Sequence, residues 1–353
     1  MSILNQNSDF LFGFQATMTN CNGDPDQENK PRVDYETSTL LVSDARRKRD
    51  IRDFLKKKGY SIFVDTLADK KVPMEEMFEY VCGLWLKDAN KMNALFVDEP
   101  YLKEKWDILF GQDPENYKEV YFDKKKSLKK SKDFIEFNNI FLTEIIKRSL
   151  IDIRLFGSAM AVEGVSRTYT GPVQISWGYS LHPVELVKSN TITSIMNDDN
   201  STFGKKHKVY YALVAHYGTI NKYSAKLTGM TQEDKELFRK ALVQGLMNNQ
   251  TDSKQGQEPL FYLEIIYKPE IDGYLGDLRR FLETTYDEVV PIRGLKNITV
   301  DFKQLSETIE KMKQKGYVDK VVGWLHPFAD KNQLINMPDF EEVDLWEPIK
   351  VGE

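Results

Sequence analysis

A cluster of basic side chains in residues 46–58 is the feature of this sequence that points most directly to a chemistry. The segment holds eight Lys or Arg against two Asp. On a helical projection Ile51, Phe54 and Leu55 share one face, which we expect to dock on a sheet. The basic stripe on the far side comprises Lys48, Arg49, Arg52 and Lys56. Such a stripe can follow the phosphate backbone of a nucleic acid, or it can be an ordinary solvated helix face.

A polar segment, NCNGDPD at residues 20–26, lies upstream of this helix and has the composition of a tight turn. Gly23 tolerates a positive φ, and Pro25 fixes its own φ. Ser43 or Asp44 can cap the helix, because a side-chain oxygen there accepts a hydrogen bond from a free backbone N–H group. The turn and the positive end of the helix together favour an anionic ligand.

Three carboxylates in this region, those of Asp24, Asp26 and Asp44, offer a different chemistry. Carboxylates beside bound RNA can hold Mg²⁺ for phosphodiester cleavage. Asp24 can instead shape the turn and Asp44 can cap the helix, and these local roles are the interpretation we favour. We therefore predict neither a catalytic residue nor a metal site, and a metal-dependent endoribonuclease stays an alternative.

The overall composition restricts where RNA could bind, because the chain carries a net charge of −5. A protein that coats RNA with its whole surface should be basic, so an RNA site here must be a localised basic groove. The four histidines and the two cysteines, Cys21 and Cys82, form no metal or redox motif. No apolar run approaches the ~20 residues that cross a bilayer, and the N-terminus lacks a signal-peptide pattern. A reduced, cytoplasmic setting is expected, with no membrane association.

The elements that must position these groups follow a βαββαβ order once insertions are set aside. They are a strand at 10–19, a helix at 44–58, strands at 172–180 and 208–220, a helix at 231–247 and a strand at 259–267. A helix near 275–282, a strand at 297–302, a helix at 303–315 and a strand at 320–325 follow. The predicted fold class is α+β with an RRM-like (ferredoxin-like) core. The sequence lacks the aromatic sheet motif of ordinary RRM domains, so RNA should bind along loops and the first helix.

Two of the predicted strands show period-2 alternation, which is typical of a strand with one buried face. In the first strand the apolar positions are Phe10, Phe12, Phe14, Ala16 and Met18. In the second they are Val173, Ile175 and Trp177. We expect the first set to face the core, and the second set indicates a strand.

Residues 61–150 are predicted to form a helical insertion. Apolar residues recur at helical spacing, first at Met77, Tyr80, Val81 and Leu84 and again at Ile140, Phe141, Ile145 and Leu150. Between these two segments, residues 124–132 hold six lysines. That composition predicts a mobile, solvated surface loop.

A protruding β-hairpin is predicted at residues 185–208, between the second and third strands of the series. Two β-capable arms, 190–196 and 202–210, flank a polar tip at 198–201. The side chains of interest are Ile195 and Met196 on one arm and Lys205, Lys206 and Lys208 at the base. A floppy connecting loop is the alternative interpretation.

Six segments of the chain together resemble one known family. In order they are NCNGDPD, ENKPRVD, VSDARRKRDIRD, DIRLFGSAM, TGPVQISWGYSLHPVE and FGKKHKVYYAL. They resemble the CRISPR-associated backbone-subunit family of type I Cascade, in which the subunit repeats along the guide RNA. The sequence looks most like the type I-B version, with the type I-C version as the close alternative. The resemblance spans roughly residues 8–220 and extends more weakly to the C-terminus.

The resemblance implies a hand-like subunit. Its parts are a discontinuous palm at 8–60 and 151–353, fingers at 61–150, and a β-hairpin thumb at 185–208. Together with the basic stripe, it predicts that RNA contacts Asn20, Asn22, Gly23, Asp24, Ser43, Arg47, Lys48, Arg49, Arg52, Lys56, Ile195, Met196, Lys205, Lys206 and Lys208. The helical projection places Arg47 nearer the packed face than the other basic residues.

The implied function is that of a non-catalytic scaffold that coats the guide RNA (crRNA) of an antiviral Cascade ribonucleoprotein. Copies stack into a helical filament, and the guide bases stay free to recognise a DNA target by pairing. The implied partners are crRNA, target DNA through the guide, other copies of the subunit, and the large, cap and guide-processing endonuclease subunits. No cofactor is implied. A stand-alone RNA-binding regulator with an RRM-like fold is a further alternative.

Overall fold

The computed structural model describes residues 2–63, 66–67, 70–71, 74–111, 116–162, 165–193, 203–327 and 329–352 of a mixed α+β chain. The helices are α1 (Asp44–Lys57), α2 (Met74–Trp85), α3 (Ala89–Asp98), α4 (Pro100–Phe110), α5 (Tyr117–Leu128), α6 (Lys132–Ser149), α7 (Ile151–Phe156), α8 (Lys222–Thr228), α9 (Gln232–Asn248) and α10 (Lys303–Gln314). The strands are β1 (Ser8–Thr19), β2 (Gly23–Asp24), β3 (Lys30–Pro31), β4 (Val33–Asp34), β5 (Thr39–Val42), β6 (Thr66–Leu67), β7 (Lys70–Lys71), β8 (Gly157–Val162), β9 (Val165–Thr170), β10 (Val173–Ile175), β11 (Gly178–Ser180), β12 (Thr191–Thr193), β13 (Phe203–Lys205), β14 (Val209–Ile220), β15 (Gln257–Tyr267), β16 (Glu283–Tyr286), β17 (Ile298–Asp301), β18 (Val318–Leu325), β19 (Leu334–Ile335) and β20 (Glu341–Glu342).

The central sheet has the strand order β20-β18-β15-β1-β14-β11-β5-β4, with β10 also paired to β14. β1 lies in the middle and is antiparallel to both β14 and β15. The structure contains each element of the predicted βαββαβ series, except that the predicted second strand is split into β10 and β11. In the sheet the four strands of the series lie side by side in the order β15, β1, β14 and β11. These are the fourth, first, third and second strands of the series.

The first strand differs from the prediction because it is buried on both faces. Phe10, Phe12 and Phe14 pack in a cluster with residues of α1 and α9. Leu11, on the opposite face, packs in a second cluster with residues of α10 and β17. The C-terminal elements therefore cover the face that alternation had assigned to solvent. Met18, predicted to face the core, is exposed and has a φ of 50°, so the strand bends there.

Other predicted elements also show details that the sequence pattern did not specify. In α2 the buried residues are Met77, Phe78, Val81 and Cys82, whereas Tyr80 and Leu84 are exposed. Trp177 is exposed, because the strand is interrupted between β10 and β11. The predicted helix near 275–282 is only a short 3₁₀ turn at Leu278–Phe281. Four of the six lysines lie in helices rather than in a loop, because α5 contains Lys124–Lys126 and α6 begins at Lys132, and only Lys129 and Lys130 lie in the turn between them.

The helices α2–α6 have a hydrophobic core of their own, centred on Trp106 and separate from the two clusters on the sheet. The two ends of this segment meet at one side chain. The Phe63 backbone N–H donates to Asp152 Oδ1 over 2.8 Å, and Arg52 Nε donates to Asp152 Oδ2 over 3.0 Å. The insertion therefore leaves and rejoins the sheet domain at neighbouring points.

The predicted hairpin is present at its base. β12 and β13 are antiparallel, with Thr191 opposite Lys205 and Thr193 opposite Phe203. At the base the second arm ends at Lys205, and residues 206–208, which were predicted to belong to it, connect it to β14 without being in a strand. Ile195, Met196 and the predicted tip lie outside the described residues. Over the described part of the chain, none of the helices is long and apolar enough to cross a membrane.

Candidate nucleic-acid interface

The polar loop, residues 20–29, is tied to the start of α1 by a side chain that the sequence had assigned to RNA. Asn22 Oδ1 accepts hydrogen bonds from Ser43 Oγ over 2.8 Å and from the Ser43 backbone N–H over 3.3 Å. Ser43 is the N-cap, since its Oγ accepts from the Arg46 N–H over 3.2 Å. A Cβ at Gly23 would collide with the Asn29 side chain, so a larger residue there would require the exposed Asn29 side chain to move. The loop and the helix terminus thus form one rigid unit.

Asn20 contributes an unusual polar atom to this loop. Its side chain is buried, and Nδ2 donates to the Asn29 carbonyl over 2.9 Å. Its Oδ1 atom makes no hydrogen bond within the part of the chain that the structure describes. A buried oxygen without a donor is costly, so this position is suited to a ligand or water that donates a hydrogen bond.

Two of the three carboxylates considered for metal binding, those of Asp24 and Asp44, are used locally. Asp24 Oδ1 accepts from the Asp26 N–H over 3.2 Å and lies 3.4 Å from Arg32 Nη2. Asp44 does not cap α1 but forms an ion pair with Lys48 at 3.0 Å. Among the described residues, no group of three or more His, Cys, Asp or Glu side chains could hold a metal ion.

The basic stripe is more strongly paired than the sequence suggested. Lys48 pairs with Asp44 at 3.0 Å, Arg49 with Asp53 at 2.8 Å, and Arg52 with Asp152 at 3.0 Å. Arg49 and Lys56 are exposed, whereas Lys48 and Arg52 are partly covered. Two of these three carboxylates, those of Asp44 and Asp152, lie outside residues 46–58, so the charge count for that segment did not include them. The stripe is therefore a weaker source of positive potential than that count implied.

Arg47 does not have the position expected of an RNA contact. It is 1% exposed, its guanidinium lies 4.9 Å from the centre of the Phe14 ring, and it pairs with Asp50 at 2.9 Å. Burial lowers the pKa of Arg47, although Asp50 opposes that shift. The helical projection, which placed Arg47 near the packed face of α1, agrees with this burial. The prediction that Arg47 contacts RNA does not agree with it.

The lysines at the base of the hairpin face the polar loop across a small cleft. The cleft is lined by Asn20, Glu28 and Asn29 of the loop, by residues 205–208 of the hairpin base, and by Asp252 and Ser253. Lys205 lies 3.5 Å from Glu28, and Lys206 lies 2.5 Å from Asp252. These exposed ion pairs are weak in water, so a phosphate can replace the carboxylates at little cost. The structure thus brings together the loop and hairpin residues that the sequence had predicted separately.

Comparisons with known proteins identify the family of this chain. Residues 6–303 match the family model for CRISPR-associated protein Cas7. The chain belongs to the Cas7 family. A Cas7 protein of Haloferax volcanii is 28% identical over 332 residues, which is 92% of this chain and 88% of that protein. The resemblance to a CRISPR-associated family is thereby confirmed.

Two solved structures align with this Cas7-family chain along most of its length. They are described as a CRISPR RNA-guided surveillance complex and as the same kind of complex before nicking. The TM-scores are 0.47 and 0.48, with 12% sequence identity in both cases. The alignments cover 96% of this chain and 94% and 97% of the other chains.

In this Cas7-family chain, a lysine that the sequence did not single out holds the polar loop in place. Lys254 Nζ donates to the Asn20 carbonyl over 2.7 Å and to the Cys21 carbonyl over 3.0 Å. Burial, with Arg46 and Arg47 nearby, lowers the pKa of Lys254 to about 8. The neighbouring Ser253 carbonyl accepts from Thr19 Oγ1 over 2.6 Å. The sequence around Lys254, TDSKQG, has no periodicity, and no local signal could have identified it.

Proposed function

We propose that this Cas7-family chain is the guide-RNA-binding backbone subunit of a type I CRISPR surveillance complex. It coats crRNA without cleaving it and leaves the guide bases free to pair with a DNA target. Its partners are crRNA, target DNA through the guide, other copies of itself in a helical filament, and the remaining Cascade subunits. Family membership over residues 6–303 supports this function.

The proposed subunit has a palm, fingers and a thumb. The strand order fourth, first, third, second of the βαββαβ series supports an RRM-like palm at residues 8–60 and 151–353. The separate core of α2–α6 supports fingers at 61–150. The pairing of β12 with β13 supports a thumb at 185–208. The C-terminal elements cover the sheet face that RNA occupies in ordinary RRM domains, so RNA in this subunit follows the edge loops.

The observation that carries the proposal is the cleft in which the polar loop and the thumb base meet. Phosphates lie against the exposed cations of this region, and the turn with Gly23 allows close approach of the RNA backbone. The residues proposed to contact RNA directly are Asn20, Asp24, Ser43, Lys48, Arg49, Lys56, Lys205, Lys206 and Lys208, with Ile195 and Met196 of the thumb. Asn22, Gly23 and Arg52 act mainly by holding the surface in shape, because each is committed to a contact within the protein.

Charge reversal at the cleft and on the basic stripe of α1 tests the proposal. The variant Arg49→Glu, Lys205→Glu, Lys206→Glu changes exposed cations and spares Arg52, whose removal would take a cation away from the buried Asp152. RNA affinity should fall, and the slope of log K against log salt should decrease by about one for each phosphate that the variant no longer neutralises. The matched control is Lys303→Glu, Lys311→Glu, Lys315→Glu, at exposed positions of α10 and its C-cap. Equal affinity and salt slope in both variants and in the unmodified protein would refute the cleft as the RNA site.

Sedimentation with RNAs of increasing length tests the filament. The number of subunits bound should rise stepwise with RNA length, whereas a stand-alone regulator would stay a monomer at every length.

A time course of labelled RNA with Mg²⁺ or Mn²⁺ tests the absence of cleavage. Metal-dependent cleavage that disappears in Asp24→Ala would replace the scaffold with a ribonuclease.

A further inference from the structure

We propose that Trp177 and Arg32 form a platform on which one nucleobase of the bound RNA strand stacks. This inference rests on the proposed function and adds a base contact to an interface otherwise built for phosphates. Trp177 lies in the break between β10 and β11 and is 45% exposed, which leaves a large apolar ring open to solvent. Neither residue belongs to the RNA contacts assigned from the sequence.

The register of the sheet places Trp177 beside the start of α1. β11 is antiparallel to β5, with Gly178 opposite Val42 and Tyr179 opposite Leu41. One step further along this register, Trp177 lies across from Ser43, the N-cap of α1. The exposed indole is therefore continuous with the surface formed by the polar loop and the helix terminus.

The backbone at Trp177 is held in place from two sides. Arg279 Nη1 donates to the Trp177 carbonyl over 2.6 Å, and the same guanidinium pairs with Asp277 at 2.6 Å. At the next residue, a Cβ on Gly178 would lie 2.6 Å from the ring of the buried His216. An exposed aromatic ring on a fixed backbone loses little conformational freedom when a ligand stacks on it.

Arg32 supplies a cation and a spare hydrogen-bond donor at this ring. Its guanidinium carbon lies 5.7 Å from the centre of the Trp177 ring, within the range of a cation–π contact. Its backbone belongs to the loop, since its N–H donates to the Asn22 carbonyl over 3.1 Å. Arg32 Nη2 pairs with Asp24, but the buried Nε has no acceptor anywhere in the described ranges. A guanidinium beside an indole is a common setting for an unstacked RNA base.

A base of single-stranded RNA fits this site better than a protein side chain or a duplex. The platform is continuous with the proposed phosphate surface, so a strand held there carries its bases past the ring. Every nucleobase has a π-face, and stacking therefore tolerates any sequence, as a guide of variable sequence requires. A duplex keeps its bases stacked on each other and leaves none for the indole.

Binding of two matched oligomers separates base stacking from phosphate binding. One is a short single-stranded RNA, and the other is an abasic ribose-phosphate oligomer with the same number of phosphates. Trp177→Ala should weaken binding of the RNA by roughly 5- to 100-fold and leave binding of the abasic oligomer unchanged. Trp177→Phe should retain most of the affinity for RNA, because it keeps an aromatic face. The control is Trp346→Ala, since Trp346 is 37% exposed but packs on Trp324 and His326 of the C-terminal region.

The outcomes distinguish this inference from the proposed function. If the unmodified protein binds neither oligomer, the proposed RNA-coating function fails. If it binds both and Trp177→Ala binds both equally well, the platform is refuted. An equal decrease in affinity for both oligomers also refutes it, because Trp177 would then act only through the structure of the loop. A thermal unfolding curve of each variant shows whether the fold is intact before the affinities are compared.

Discussion

Glu264 has no exposed surface, and its carboxylate is shared between two buried cations of α9. Lys235 Nζ lies 2.7 Å from Oε1, and Arg239 Nη2 lies 2.6 Å from Oε2. The Tyr262 hydroxyl donates to Oε2 over 2.8 Å. Burial alone would raise the pKa of Glu264, but Arg239 and Lys235 lower it to about 2. This cluster locks α9 onto β15 and contributes no group to the RNA surface.

Removing the charge of Glu264 should strongly destabilise the fold. Glu264→Gln leaves Lys235 buried without a counter-charge and leaves Arg239 paired only with Glu236, which should lower the free energy of unfolding by about 3–5 kcal/mol at neutral pH. The folded-state pKa lies below the ordinary value of 4.5, so this stabilisation is complete above pH 4.5 and disappears as pH falls toward 2. Urea unfolding at a series of pH values measures the difference between the two proteins.

The difference between wild type and Glu264→Gln should therefore shrink on acidification. The exposed Glu270→Gln is the control and should change stability little at any pH. If the difference in unfolding free energy between wild type and Glu264→Gln stays constant from neutral pH to pH 3, the lowered pKa of Glu264 is contradicted.

At the scale of elements, the start of α1 is coupled to the polar loop through one oxygen atom. Ser43→Ala removes the N-cap hydroxyl and should cost about 1 kcal/mol of unfolding free energy. Asn22 Oδ1 accepts hydrogen bonds from both the hydroxyl and the backbone N–H of Ser43. Ser43→Ala should therefore lower the free energy of unfolding by less when Asn22 is already alanine. A double-mutant cycle by chemical denaturation should give a coupling of about 0.5–1.5 kcal/mol.

The control for this cycle is a helix cap elsewhere in the chain. Thr231 caps α9 by accepting from the Asp234 N–H, and it does not contact the polar loop. Thr231→Ala combined with Asn22→Ala should be additive. A coupling in the control as large as that between Asn22 and Ser43 would mean that the loop is not specifically attached to α1.

These elements also show what the sequence could and could not predict. The cap and the amphipathic pattern of α1 are local, and the helix was found within one residue of its end. The acidic partner of Arg52 lies 100 residues away, and the lysine that holds the Asn20 carbonyl lies 234 residues away. The second buried face of β1 likewise depends on the distant C-terminal elements. Local patterns predicted the elements and most of the proposed interface, whereas long-range pairing determined which charges remain available.

At the scale of the whole molecule, the interface and the helical insertion are built from separate parts of the chain. The cleft uses residues 20–29, 205–208 and 252–253, all outside the insertion. The core of α2–α6 is a distinct cluster, with Phe63 and Ile153 among the residues at its boundary. The cleft and the insertion core therefore have no described residue in common.

Excision of the insertion should therefore leave a folded RNA-binding domain. Residues 64–149 are replaced by a short Gly-Ser linker, which can close the gap because the Phe63 N–H and Asp152 Oδ1 are only 2.8 Å apart. Phe63→Ser and Ile153→Ser remove apolar side chains that the excision would expose. The shortened protein should unfold cooperatively and bind short RNA with unchanged affinity. Circular dichroism and fluorescence anisotropy measure these two properties. The same excision with Asp152→Ala should be much less stable, because it removes the carboxylate that joins Phe63 to Arg52. Absence of cooperative unfolding in the first protein would show that the sheet domain depends on the insertion core.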